Sequence, residues 1–130
     1  MIRFLILFFL LNGAAHAHNK SISFSDLFWN GRDIEVIFTV AARDVTFLPQ
    51  TARSTNLASA LGNHLQDKFE LRQINTACTV SEPFDARPAR AGYVRMQATF
   101  RCLSENAALQ VTNNVFFDMI RTHIHLARIR

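Results

Sequence analysis

The chain has 130 residues, of which 49% are apolar and 18% charged, and its formal net charge at pH 7 is +4. This length excludes a large multidomain protein, and the apolar content excludes a disordered chain. The longest apolar run, Phe4 to Leu11, is far shorter than the ~20 residues of a membrane-spanning helix, which excludes a polytopic transporter. The charge excess is small and forms no basic block, so nucleic acid is not predicted as a partner.

The N-terminal segment has the pattern of an export signal. Arg3 precedes the apolar run, and small residues at Ala15 and Ala17 match the positions that signal peptidase reads. A short membrane anchor is the alternative, but the run is too short to span a bilayer. We therefore predict a secretory signal over residues 1–17 and a single β-rich extracytoplasmic, periplasmic domain over residues 18–130.

The chain has two cysteines, Cys78 and Cys102, and both belong to the predicted mature domain. In an oxidising compartment an even pair is typical of a disulfide, which we predict here. The alternative is a thiolate metal site, which the absence of a CxxC spacing disfavours.

Alternating apolar and polar residues predict strands at the start of the mature domain. Ile22, Phe24 and Phe28 alternate with serines, and Asn30-Gly31 is a strong signal for a hairpin turn. The alternation resumes after the turn, which predicts a β-hairpin over about residues 20–41 with one apolar face.

One helix is predicted, over about residues 55–69. Its apolar residues recur every four positions and form a stripe that would pack on a sheet: Leu57, Leu61, Leu65 and Phe69. Ser54 or Thr55 is expected to cap its N-terminus. His64 is expected on the exposed face of this helix.

Further strands are predicted towards the C-terminus, with an exposed loop over residues 83–92. The period-two segments cover about residues 74–80, 94–102, 109–115 and 123–130. The predicted fold class is mainly β, an antiparallel β-sandwich-like domain with one packed α-helix.

Motifs of enzymes are absent from the sequence: there is no nucleophile elbow, P-loop, GxGxxG or HExxH. The protein is therefore predicted not to be an enzyme. Asp44 and Asp118 are interpreted as turn caps or as ion-pair partners of Arg121 or Arg128.

Three histidines could form a metal site. After cleavage, His18 would carry a free α-amine beside its imidazole, a chelate suited to Cu(II) or Ni(II). His123 and His125 have the i, i+2 spacing that places both side chains on one face of a strand. The hypothesis is that the three together form an all-nitrogen site for a divalent metal (Ni, Co or Cu). The alternative is a frayed terminus at His18 and an exposed or hydrogen-bonded pair at the other two positions.

Several segments occur in an order that resembles a known family. They are His18–Phe24, Phe38–Phe47, Phe100–Cys102, Val115–Asp118 and Thr122–Ile129. This order resembles the N-terminal extracytoplasmic domain of HupE/UreJ-like membrane proteins, and the resemblance covers residues 18–130. Residues of the matching motifs are Arg43, Asp44, Phe116, Phe117 and Asp118, together with His123 and His125.

The resemblance implies a function in metal uptake. HupE/UreJ-like proteins are associated with hydrogenase and urease accessory functions and include nickel or cobalt permeases, and members continue into several transmembrane helices. We expect residues 18–130 to be the soluble domain of such a protein, lacking the downstream transmembrane region. It would dock onto, gate or present metal to the membrane permease portion or another envelope protein.

Two other functions are compatible with the sequence. One is a stand-alone periplasmic copper-binding protein of the CopC type, which also begins with a histidine, although the methionines here are scattered. The other is a ligand-free interaction domain, which an exposed apolar patch would favour.

Overall fold

The computed structural model describes residues 20–130, so the predicted signal segment and His18 lie outside the described residues. The described chain is mainly β. Its strands are β1 (Ile22–Asn30), β2 (Asp33–Ala41), β3 (Phe69–Gln73), β4 (Thr76–Ala77), β5 (Thr79–Arg87), β6 (Tyr93–Arg101), β7 (Gln110–Asn113) and β8 (Ile124–Ile129).

The strands form two sheets. The five-stranded sheet has the order β5-β6-β2-β1-β8, and the three-stranded sheet has the order β4-β3-β7. All pairings are antiparallel except that of β1 with β8, which is parallel. The predicted fold class, a β-sandwich-like domain with one packed helix, is confirmed.

The first connection between the sheets, from β2 to β3, is helical. Ala42–Val45 forms a short helix, α1, Pro49–Arg53 forms a 3-10 turn, and Leu57–Lys68 forms α2, which packs on β5 and β6. The expected cap at Ser54 or Thr55 is wrong. The Asn56 side chain caps α2 by accepting a hydrogen bond of 2.8 Å from the Ser59 amide, so the helix begins later than expected.

Aromatic rings from both sheets meet in the core. Phe69 of β3 contacts Phe38, Phe84 and Phe100 of the five-stranded sheet, with ring centroids 5.8 to 6.4 Å apart. Such tilted and edge-on pairs add to the free energy gained from burial.

The two faces of β1 are occupied in an unusual way. Ser23 and Ser25 are buried on the inner face, whereas the apolar Phe24 and Phe28 face outwards with 38% and 37% of their surface exposed. A buried hydroxyl is costly unless it is hydrogen-bonded. The inward serines must therefore have partners, and these come from β8.

The predicted loop over residues 83–92 is wrong in its first half. β5 continues to Arg87 with two irregularities in its register, and Phe84 is buried in the core. β5 is an edge strand, where the missing N–H of Pro83 leaves no pairing position empty. Pro83 and Pro88 favour a loop, but the bulged register of β5 accommodates Pro83 and the strand continues past it.

Ile74 was predicted within a strand, and this is wrong. Ile74 and Asn75 form the turn between β3 and β4, with φ values of 49° and 61°. Ile74 is 74% exposed in this turn.

His64 was expected at the surface, but it is buried on the side of α2 that faces the core. Its Nε2 lies 2.6 Å from the carbonyl oxygen of Val115. The helix buries a wider face than the leucine stripe alone defines.

The predicted disulfide between Cys78 and Cys102 is confirmed. The Cys78 amide donates to Leu71 of the three-stranded sheet, and the Cys102 amide donates to Arg32 in the β1–β2 turn. The disulfide therefore joins the two sheets where the chain passes between them, and it is compatible with an oxidising compartment. Among residues 20–130, none of the helices combines the length and apolarity needed to span a membrane.

Candidate functional site: a buried serine and histidine ladder

The parallel pairing of β8 with β1 brings two histidines against three serines. In this register Ser23 lies opposite His125, and the Ile124 amide donates to the Ser21 carbonyl. His123 and His125 alternate with outward residues, so both rings lie on the side of the inward serines.

These side chains form one continuous row of hydrogen bonds, here called the ladder. Its members, in order, are Asp44, Ser21, His123, Ser23, His125 and Ser25. Ser21 donates to Asp44 at 2.8 Å, and its hydroxyl lies 2.6 Å from Nδ1 of His123. The Ser23 oxygen lies 2.7 Å from Nε2 of His123 and 2.6 Å from Nδ1 of His125. Ser25 lies 2.8 Å from Nε2 of His125.

The carboxylate at one end determines the direction of every hydrogen bond. A serine has one hydroxyl proton, and Ser21 gives it to the Asp44 carboxylate, so His123 must donate to Ser21 through Nδ1–H. Nε2 of the neutral His123 ring then accepts from Ser23. Because the single hydroxyl proton of Ser23 is donated to His123, His125 must donate to Ser23, and its Nε2 then accepts from Ser25. Both neutral histidines are therefore assigned the Nδ1–H tautomer.

Aromatic rings pack against the two imidazoles. His123 contacts both Phe116 and Phe117, with centroid distances of 5.0 and 5.3 Å. His125 stacks on Phe38 at 5.5 Å. Phe116 is fully buried, whereas Phe117 is 41% exposed, and Asp118 is exposed at the surface.

Burial keeps both histidines in the neutral form. Desolvation and, to a smaller extent, the neighbouring His123 together lower the pKa of His125 to about 4. Desolvation also lowers the pKa of His123, and the negative charge of Asp44 partly opposes this effect. Neutral rings are the state in which each imidazole both donates and accepts, as the ladder requires.

Asp44 is buried at the start of the ladder, where α1 positions it. Its second oxygen lies 3.5 Å from Nε of Arg43. Arg128, one of the partners considered for Asp44 and Asp118, instead forms an ion pair with Asp26 at 2.8 Å. Asp44 and Ser21 also line an open pocket with Phe47, Met119 and Ile120, so one end of the ladder meets solvent.

The order of these groups differs from that of a serine hydrolase. In a Ser-His-Asp triad the histidine lies between the acid and the nucleophile, whereas here Ser21 lies between Asp44 and His123. The hydroxyl of Ser21 therefore donates to the acid rather than to a general base. The arrangement can hold β8 against β1 by hydrogen bonds and can transfer protons along the row. It does not activate a serine hydroxyl as a nucleophile.

The predicted metal site stays a prediction. All four ring nitrogens of His123 and His125 lie within hydrogen-bonding distance of serine hydroxyls. Residues 20–130 contain no group of three or more His, Cys, Asp or Glu side chains arranged to hold a metal ion. The third predicted ligand, His18, lies outside the described residues.

The serines of the ladder were not identified as functional residues from the sequence. A signal was present, since Ser-x-Ser-x-Ser in β1 and His-x-His in β8 share the same period of two. Two polar rows of equal spacing on strands that pair would meet side by side. The parallel pairing of β1 with β8 was the missing information.

A second feature is the outer face of the five-stranded sheet. The register places Phe24 beside Leu126 and Ile22 beside Ile124. Leu126 is 51% exposed and Ile124 is 40% exposed. These four side chains are called the outer patch.

Comparison with known proteins gives no relative on which to base a function. No protein-family model matches the chain, and a search of curated proteins finds no match. The resemblance to HupE/UreJ-like proteins therefore remains a prediction carried by the order of short segments.

Proposed function

We propose that this chain is a non-enzymatic, extracytoplasmic docking domain of a metal permease of the HupE/UreJ type. In this role the outer patch binds the membrane part of the permease, and the disulfide stabilises the domain in an oxidising compartment. The proposal includes export by residues 1–17. Nickel or cobalt is the cargo of the permease rather than a resident cofactor of this domain.

The observation that carries the proposal is the apolar surface on β1 and β8. Exposed apolar side chains are normal when scattered, but a contiguous group is typical of an interaction site. Here Phe24 and Leu126 are neighbours across two strands, and each exposes more than a third of its surface. A partner that covers them would remove this apolar area from water.

Docking is better supported than metal presentation. A metal ion on His123 or His125 would have to displace serine hydroxyls that satisfy both rings. Docking requires no change in the ladder, because the patch lies on the opposite face of the sheet.

Site-specific photo-crosslinking in the cells that make the protein tests the proposal. The full chain carries p-benzoylphenylalanine in place of Phe24 or Leu126, and the control carries it in place of Val80, which is 49% exposed on β5 at the far edge of the sheet. We expect a crosslink from the outer patch to a polytopic membrane protein, identified by mass spectrometry, and none from position 80. An equal yield at position 80, or no membrane-protein product, would refute the docking role.

Two further measurements concern the metal: one tests whether docking is needed for metal uptake, and the other tests whether the domain itself binds metal. The double variant Phe24→Ser, Leu126→Ser should reduce nickel or cobalt accumulation by the cells while the secreted amount of the domain stays unchanged. Calorimetry of the secreted protein, with the signal segment cleaved, against Ni(II), Co(II) and Cu(II) tests metal presentation separately. Binding that is tighter than that of free histidine, and that depends on His123 and His125, would assign metal presentation instead of docking.

A further inference from the structure

The geometry points to an acid-sensitive clasp: we propose that protonation of His123 and His125 releases β8 from β1 while the remainder of the two-sheet fold persists. This inference concerns the inner face of β8 and does not depend on the outer patch or on any partner. It assigns the ladder a regulatory role, in which the pH of the compartment determines whether β8 is attached.

β8 has few attachments other than the ladder. Within residues 20–130 it lies at the edge of the five-stranded sheet and pairs with β1. Its apolar residues contribute little burial, since Ile124, Leu126 and Ile129 are 40%, 51% and 55% exposed. Its other attachments include the backbone hydrogen bonds to β1 and the ring contacts of His123 and His125. At the surface, Arg128 and the following Arg130 form ion pairs with Asp26, and Arg130 also lies over the Phe28 ring. Exposed ion pairs contribute little to stability.

Protonation removes the acceptors on which the ladder depends. An imidazolium has two N–H donors and no acceptor. With both rings charged, Ser23 would receive a hydrogen bond from each ring, and its own proton would have no partner in the ladder. Ser25 would likewise lose the ring nitrogen to which it donates. A buried hydroxyl without a partner disfavours the attached state.

The charges that face the rings do not compensate for two positive charges. β1 presents Ser21, Ser23 and Ser25 to the rings, β2 presents Phe38, and the turn before β8 presents Phe116 and Phe117. Asp44 on α1 is the charged group that acts on His123, and it already lies 3.5 Å from Arg43. The two rings also act on each other, since both approach Ser23.

The sign of the pH dependence follows from burial. Both histidines have a lowered pKa in the folded chain, and that of His125 is about 4. A released β8 would expose them to water, where the pKa of histidine is about 6.5. The released state therefore binds more protons, so attachment is fully present above about pH 6.5 and is lost as the pH falls towards 4.

Hydrogen exchange with mass spectrometry tests the clasp on the full chain. Protection factors, which correct for the intrinsic pH dependence of exchange, are compared at pH 7 and pH 5. The protection factors of the β8 amides should fall by at least about tenfold. Each histidine with a lowered pKa in the attached state shifts the equilibrium between attached and released β8 by up to tenfold per pH unit. The protection factors of β2 and β6 should change by much less. Uniform loss of protection in all strands, or an unchanged β8, would overturn the proposal.

Variants identify the groups responsible. His125→Gln should reduce the pH dependence of β8 protection, and His123→Gln with His125→Gln should abolish it. His64→Gln is the matched control, since His64 is buried but lies outside the ladder, and it should retain the full response. If the double variant does not fold, NMR titration of the unmodified chain decides. Nδ1–H tautomers at pH 7 and pKa values below 6.5 for both rings are expected, and ordinary values near 6.5 would refute the clasp.

Discussion

His125 lies nearly parallel to Phe38, with ring centroids 5.5 Å apart and 13° between the ring planes. Phe38 is fully buried and also contacts Phe69 of the second sheet. The stack therefore connects an edge strand to the centre of the core. It positions the His125 ring so that its two nitrogens reach Ser23 and Ser25.

Shortening Phe38 should disturb both the core and the ladder. Phe38→Leu should lower the free energy of unfolding by about 1–3 kcal/mol, because it leaves a void beside Phe69 and removes the surface on which His125 stacks. Phe28→Leu is the matched control on the exposed face of the sheet, and it should change stability by less than about 0.5 kcal/mol. Urea denaturation of both variants gives the comparison. Equal losses would show that Phe38 is not a central packing residue.

Ser23 should be the most sensitive serine of the ladder. It is the hydroxyl that meets both imidazoles, so Ser23→Ala leaves two ring nitrogens without a partner. We expect a loss of about 2–3 kcal/mol. Ser81→Ala removes an exposed hydroxyl that bonds to a Thr99 carbonyl, and it should cost less than about 0.5 kcal/mol. A Ser23 variant that is as stable as the Ser81 variant would mean that the ladder contributes nothing to stability.

The sequence was informative where burial follows a regular period. β2 and β6 have an apolar inner face at every second residue, and both strands were predicted close to their true positions. β1 obeys the same period, but its buried row is serine for most of its length. A rule that places apolar residues inside cannot find such a row, because the reason for its burial, His123 and His125, lies about 100 residues further along the chain.

The candidate site was predictable only in part. The spacing of His123 and His125 correctly implies that they share a face, since side chains two residues apart on a β-strand point to the same side of the sheet. Whether those nitrogens face a metal, solvent or hydroxyls depends on which strand pairs with β8. The parallel pairing with β1 is a long-range contact that local pattern does not encode.

The disulfide should contribute substantially to stability. Cys78 and Cys102 are 24 residues apart, and closing a loop of that size contributes about 3 kcal/mol in the chain-entropy model. The double variant Cys78→Ser, Cys102→Ser should lose about this much free energy of unfolding. Reductant should destabilise the unmodified chain by a similar amount and leave the double variant unaffected. If reductant affects both proteins equally, its action is not through this bond.

The turn between β3 and β4 offers a substitution that should stabilise the protein. Ile74 has a φ of 49°, a conformation that is unfavourable for a β-branched residue, and with 74% of its surface exposed it buries little in return. Asparagine tolerates this region, and two-residue hairpin turns with positive φ at both positions favour it. Ile74→Asn should raise the free energy of unfolding by about 1 kcal/mol, measured from the urea midpoint at constant slope. Gly31→Ala is the converse test, since Gly31 has a φ of +64° in the β1–β2 turn, and it should destabilise by about 1 kcal/mol. A loss of stability in Ile74→Asn would show that the exposed isoleucine makes contacts that outweigh its backbone strain.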